Sequence, residues 1–166
     1  IARDFKAKGV TNVILDLRNN SGGLLNEDVD VASVWLDGQV VVEEKAINEE
    51  DQTLRSERKG VLNGTKLIIL INGGSASASE IVAGALHDHG VATLIGEKTF
   101  GKGSVQTLEE LPNGGQLKVT VARWFTPKGV NIDKDGIQPD TVVELSDEDF
   151  DKDRDPQLDA AKKVFK

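Results

Sequence analysis

Ser77 and Lys102, 25 positions apart, are the residues of this chain whose types and surroundings best fit a reaction. Ser77 lies in Gly73-Gly74-Ser75-Ala76-Ser77-Ala78-Ser79-Glu80-Ile81, between the apolar run 67–71 and a stretch with Ala78, Ile81, Val82, Ala85 and Leu86 at helical spacing. That pattern predicts a strand-to-helix turn. The first amides of a helix lack intrahelical acceptors and carry the positive end of its dipole, so they can hold an oxyanion that forms beside a hydroxyl placed there. Gly73, Gly74, Ala76 and Ala78 are small enough to let a peptide approach. Taken alone, serines at a helix start are better explained as N-caps and small packing residues.

Lys102 sits in Phe100-Gly101-Lys102-Gly103-Ser104-Val105-Gln106. A lysine acts as a general base only when neutral, which requires burial or neighbouring positive charge, and an amide can hold the amine in line without adding charge. Gln106, four positions on, carries such an amide. A glycine-flanked lysine means little by itself; its pairing with the serine turn points to nucleophilic catalysis.

The elements that must position this pair read as α/β. A strand over 13–17 enters the loop Arg18-Asn19-Asn20-Ser21-Gly22-Gly23, and a helix follows over about 26–35. Residues 40–46 are rich in β-branched side chains, and the polar stretch 48–59 reads as an exposed excursion. The strand over 67–71, the helix over 77–87 and the strand over 91–95 form a β-α-β unit, which implies parallel pairing. Residues 109–117 read as a hairpin turn into a half-buried strand over 118–125, and 141–145 as a short strand. Residues 1–145 are expected to form the core, 146–155 an acidic linker, and 157–165 a final helix. The opening residues 1–9 resemble the end of an amphipathic helix closed by Gly9, so the chain is expected to start inside a larger protein.

Composition narrows the classes. A net charge of −8 and a pI near 4.8 argue against a nucleic-acid surface, and no apolar run approaches the ~20 residues of a membrane span. The absence of cysteine excludes disulfides, thiolate zinc sites and a cysteine nucleophile. Gly96-Glu97-Lys98-Thr99-Phe100-Gly101-Lys102-Gly103 nearly fits a phosphate-binding loop but has Gly103 where a magnesium-binding hydroxyl belongs. Asn131-Ile132-Asp133-Lys134-Asp135-Gly136 imitates a calcium loop, yet Val142 stands where the closing glutamate should be, so a tight turn is expected. His87 and His89 lie at the far end of the serine's own helix, roughly 15 Å away at about 1.5 Å per residue, too far for a serine-histidine pair. Trp35 and Trp124 read as core or rim residues.

Four blocks, in order, resemble the proteolytic core of the carboxyl-terminal processing proteases, also called tail-specific proteases. They are residues 16–23, 74–81, 99–106, and Pro127-Lys128-Gly129 with Gly136-Ile137-Gln138-Pro139-Asp140. Ser21 stands where the family often has proline. The resemblance implies Ser77 as nucleophile, Lys102 as general base and Gln106 as the residue that orients the lysine. It also implies an oxyanion hole of backbone amides from Ala78 and the pair Gly22 and Gly23, with Gly23 favoured slightly.

The fold it implies is a crotonase-like α/β core of the ClpP/crotonase type, without the family's PDZ domain and early strands. No metal or organic cofactor is required. Substrates would be proteins cleaved at or near their C-termini or bearing apolar C-terminal tails, selected with help from a PDZ domain in the parent. An extracytoplasmic bacterial setting is expected, with the thylakoid lumen as second choice, and the chain itself is expected to be monomeric. The competing expectation is an incomplete core that serves as a binding or scaffold module.

Overall fold

The computed structural model describes residues 1–47, 50–57 and 60–166. Helix α1 (Ala2–Ala7) leads to strand β1 (Asn12–Asp16), and helix α2 (Leu25–Ala32) precedes strands β2 (Val40–Ala46) and β3 (Gln52–Arg55). Strand β4 (Lys66–Ile71), helix α3 (Ala78–Asp88) and strand β5 (Ala92–Gly96) follow. The hairpin of β6 (Ser104–Glu110) and β7 (Gln116–Phe125), the short β8 (Thr141–Val142), and helices α4 (Asp147–Asp151) and α5 (Pro156–Val164) complete the chain.

Two four-stranded sheets result. The first is parallel, in the order β1-β4-β5-β8, and the second is antiparallel, in the order β3-β2-β7-β6. Strand β4 is central in the first and reads Lys-Leu-Ile-Ile-Leu-Ile because both of its faces are covered. Leu67, Ile69 and Ile71 join Val29, Trp35, Leu36, Ile81, Val82 and Leu86 in the main core, while Ile68, Leu70 and Ile95 pack with Ala161, Leu158 and Phe165 of the C-terminal segment. Each fully buried Leu or Ile contributes about 1.5–3 kcal/mol relative to exposure, so α5 is held chiefly by this second layer.

Two stretches are more ordered than the sequence pattern suggests. Within 48–59, residues 52–55 pair with β2 as an antiparallel strand, whereas Asn48, Glu49, Arg58 and Lys59 lie outside the described residues. The acidic stretch after residue 145 contains α4, started by Ser146, whose hydroxyl accepts from the Asp149 N–H (3.2 Å) and donates to its carboxylate (2.6 Å). Acids in a first helical turn also suit the dipole.

The C-terminal segment is tied to the start of the 18–23 loop by Arg18. Its guanidinium donates to Asp16 (2.7 and 2.9 Å), to both oxygens of Asp155 (2.9 Å each) and to Gln157 Oε1 (3.0 Å). The hydrogen bonds to Asp16 and then Asp155 hold Arg18 above its ordinary pKa, and the bond from Arg18 holds the Asp155 carboxyl below the usual carboxylate range. The turn expected at 131–136 is present, with Asp133 N–H donating to Asn131 Oδ1 (2.9 Å) and Gly136 N–H to Ile132 O (3.0 Å).

Candidate active site

Three loops leave the carboxyl ends of neighbouring parallel strands: 17–23 after β1, 72–77 after β4 and 97–103 after β5. In open parallel sheets that edge is where ligands bind. The loops are stitched together. Asn72 Oδ1 accepts from the N–H groups of Asn19 (2.9 Å) and Gly74 (3.0 Å), and its amide donates to Asn19 Oδ1 (3.1 Å). Ala76 N–H donates to Asn20 O (3.0 Å). Ser75 is fully buried and structural: its hydroxyl donates to Leu17 O (2.7 Å) and accepts from Asn72 N–H (3.0 Å).

Ser77 is the N-cap of α3, at φ 56° and ψ −119°, and is 8% exposed. A non-glycine residue there is strained, at a cost of about 1–3 kcal/mol, and such strain persists only where surrounding contacts over-determine it. The main restraint is Glu80. This fully buried residue stands three positions after the cap, and its Oε2 accepts from the Ser77 N–H (2.8 Å). The same Oε2 accepts from the Lys102 N–H (2.9 Å), while Oε1 accepts from the Gly101 N–H (2.7 Å) and the Thr99 hydroxyl (2.5 Å). Thr99 Oγ1 in turn accepts from the Ile137 N–H (2.7 Å), so its own proton is committed to Glu80. One carboxylate therefore fixes the Ser77 turn and the Lys102 loop relative to each other.

Close approach explains two glycines. A Cβ on Gly22, which has φ +96°, would lie 2.7 Å from Ala76 O, 2.8 Å from Ala78 N and 2.9 Å from the Ser77 Cβ. The 17–23 loop thus lies directly on the serine turn. A Cβ on Gly101, at φ +88°, would meet the Lys134 backbone at 2.8 Å, so the 131–136 turn backs the lysine loop. Ala78 opens α3 as its first residue, where no intrahelical acceptor exists for its N–H. Among the described residues, neither that N–H nor the one of Gly23 has a protein acceptor.

The side chains named from sequence are placed as follows. Ser77, Ala78, Gly22 and Gly23 gather at one edge, and the Lys102 backbone joins them through Glu80. The Lys102 side chain is exposed, and among the described residues no hydrogen bond links its Nζ to Ser77 Oγ. Gln106 stands on β6 with its amide donating to Thr120 Oγ1 at 3.4 Å. Phe100 is 66% exposed. His87 pairs with Asp140 (2.9 Å) and His89 with Val40 O (2.7 Å), both remote from the serine. Trp35 is buried, its indole N–H donating to Thr65 Oγ1 (3.1 Å).

Sequence reasoning missed Glu80 and Asp28. The serine-x-x-glutamate spacing of Ser77 and Glu80 is the pattern that could have found the first. Asp28, on α2, lines a cavity beside Gly22 and Gly23 and is only 8% exposed. Its Oδ2 is buried without a hydrogen-bond partner, and burial, with Glu27 adding, pushes its carboxyl up to about 7.

Residues 1–143 match Peptidase family S41. A carboxy-terminal-processing protease of Bartonella bacilliformis is 48% identical over 132 residues, covering 79% of this chain and 30% of the relative. A carboxyl-terminal-processing protease of Picosynechococcus sp. is 46% identical over 140 residues, covering 84% of this chain and 33% of the relative. The photosystem II D1 C-terminal processing protease superposes with a TM-score of 0.76 at 40% identity, over 86% of this chain and 37% of that one. The chain spans about a third of the length of these relatives. On its matched residues and its mixed α/β architecture, the chain belongs to peptidase family S41.

Proposed function

We propose that this chain is the catalytic core of a serine endopeptidase that cleaves proteins at or near their C-termini through Ser77 and Lys102. The observation that carries the reading is the shared Glu80 carboxylate, which holds the strained Ser77 turn and the Lys102 loop together at the carboxyl edge of the parallel sheet. In the reaction the neutral Lys102 amine takes the Ser77 proton as Oγ attacks the peptide carbonyl carbon. The oxyanion is held by the Ala78 and Gly23 N–H groups, beside Gly22. The resulting ammonium returns its proton to the leaving amine, and water hydrolyses the acyl-enzyme ester. The exposed Lys102 side chain must swing toward Ser77 and be desolvated when substrate covers it, with the Gln106 amide orienting it; base-to-nucleophile hydrogen bonds commonly tighten only in the substrate complex.

Kinship with carboxyl-terminal processing proteases supports the finer parts of the proposal. These are a crotonase-like core within residues 1–145, a parent protein with a PDZ domain, substrates with apolar C-terminal tails, and an extracytoplasmic bacterial setting. The test is cleavage of an unfolded reporter with an apolar tail by the full gene product, by this chain, and by their Ser77→Ala and Lys102→Ala variants. Both substitutions should lower turnover by about 10²-fold or more while far-UV circular dichroism is retained. Near-normal turnover in Lys102→Ala would refute the base assignment. Absence of any Ser77-dependent cleavage would put the binding-module reading ahead.

A further inference from the structure

Gly23 and Lys102 stand on the two outer loops of the site, 17–23 after β1 and 97–103 after β5, with β4 between those strands. Two strand spacings, roughly 10 Å, separate β1 from β5. Among the described residues no hydrogen bond passes directly from one of these loops to the other. One side chain of α5 crosses the gap. Gln157 is wholly buried; its Oε1 accepts from the Arg18 guanidinium (3.0 Å), and its amide nitrogen donates to Glu97 Oε1 (3.1 Å) and Val143 O (2.8 Å). Arg18 stands near the start of the first loop. Glu97 opens the second, where its N–H donates to Ile71 O at the end of β4 (2.9 Å) and its Oε1 also accepts from the Leu145 N–H (3.1 Å). The Gln157 amide thus uses its oxygen and both of its N–H donors, next to an apolar layer that includes Leu158 and Ala161. Burying an amide costs free energy unless its polar atoms are paired, and a fully paired network rigidifies what it joins.

We infer that Gln157 is a positioning residue for the reaction: through Arg18 and Glu97 it sets the loop that carries Gly23 against the loop that carries Lys102. The inference rests on the peptidase reading of Ser77 and Lys102. Gln157 lies beyond residues 1–143, which match the family model, so this brace comes from the segment that follows them. Glu80 ties the lysine loop to the serine turn, and Gln157 ties it to the third loop. Gln157 itself reaches no reacting atom; it acts through the two loops it joins. Its effect therefore falls on the transition state, in which the oxyanion donor and the base must act together, rather than on capture of the substrate.

The test uses Gln157→Met in the full gene product, which keeps the length of the side chain and removes all three bonds. Arg18 retains Asp155 and Glu97 retains the Leu145 N–H, so the variant is expected to fold. With the unfolded reporter, kcat should fall about ten- to a hundred-fold while KM changes less than about three-fold. Phe165→Ala, which removes packing at the other end of α5, should lower the melting temperature yet keep kcat within about two-fold of the parent. Hydrogen exchange followed by mass spectrometry reads the loops without any cleavage: peptides covering 18–23 and 97–103 should exchange faster in Gln157→Met than in Phe165→Ala. Gln157→Glu gives a second reading, because it keeps an acceptor for Arg18 but turns an oxygen toward Glu97; exchange should rise at 97–103 and not at 18–23. Were no form of the protein to cleave the reporter, the same exchange pattern would still support the brace, and the peptidase reading alone would fall. Unchanged exchange in both loops, or equal losses of kcat in Gln157→Met and Phe165→Ala, would overturn the inference.

Discussion

Replacing Glu80 with glutamine should separate the two loops of the site more sharply than any other conservative change. The carboxylate accepts four hydrogen bonds, from the N–H groups of Ser77, Gly101 and Lys102 and from the Thr99 hydroxyl. A glutamine offers one oxygen in place of two. If that oxygen faces Ser77 and Lys102, the new NH₂ points at Thr99 Oγ1, which can accept, and at the Gly101 N–H, which cannot. If it faces the other way, both the Ser77 and Lys102 amides meet a donor. The better orientation therefore strands one buried N–H, at about 1–3 kcal/mol, and weakens the remaining bonds by removing their charge assistance. Glu80→Gln is expected to cost about 2–4 kcal/mol in all, and Glu80→Ala more, because it also leaves a cavity. Urea unfolding followed by circular dichroism gives the stability difference, and reporter cleavage under folded conditions gives kcat and KM. The expected result is a lower unfolding midpoint together with a fall in kcat larger than the change in KM, since nucleophile and base lose their common anchor. Wild-type stability and turnover in Glu80→Gln would refute the idea that this carboxylate sets the geometry.

Three further outcomes follow from the same structure. Ser77→Gly should be inactive yet more stable than Ser77→Ala by about 1–2 kcal/mol, because only glycine relieves the positive φ of the cap; equal stabilities in thermal melts would remove the strain argument. Asp28 titrates near 7 when folded against an ordinary 3.8, so the native state holds its proton more tightly and folding stability should decline between about pH 4 and 7. That decline amounts to roughly 2–4 kcal/mol, and Asp28→Asn should abolish it in denaturation curves taken across the interval. Arg18→Met should loosen the C-terminal segment and cost about 1–2 kcal/mol near neutral pH, allowing for partial solvent screening. Asp155 is held below its ordinary pKa, so its contribution is present above about pH 4 and lost on acidification. The gap between Arg18→Met and the parent should therefore close at low pH, and a constant gap would count against the ion pair.

What could be read from the chain depended on whether the determining interaction was local. The run 67–71 announced a strand covered on both faces because burial on both sides removes alternation, and the helix after Ser77 announced itself by spacing and by glycine loops before it. Strand β3 was hidden because its residues, Gln52, Thr53, Leu54 and Arg55, are mostly exposed and owe their conformation to pairing with β2 rather than to their own apolar pattern. Helix α4 was masked by its acids, which count against a packed core in composition but favour a helix start when Ser146 supplies the cap. At the site, the serine and lysine were legible as residue types, and the glycines as punctuation. The glycines' reason was not, since Gly22 is required by the Ser77 turn and Gly101 by Lys134, partners 55 and 33 positions away. Glu80 shows the limit most clearly. Its spacing from Ser77 is a local capping signal, but its bonds to Thr99, Gly101 and Lys102 exist only once β4, α3 and β5 are folded side by side. The Ser77 turn and the Lys102 loop are thus joined by a residue whose role in the sequence ends at the helix cap and whose role in the fold begins there.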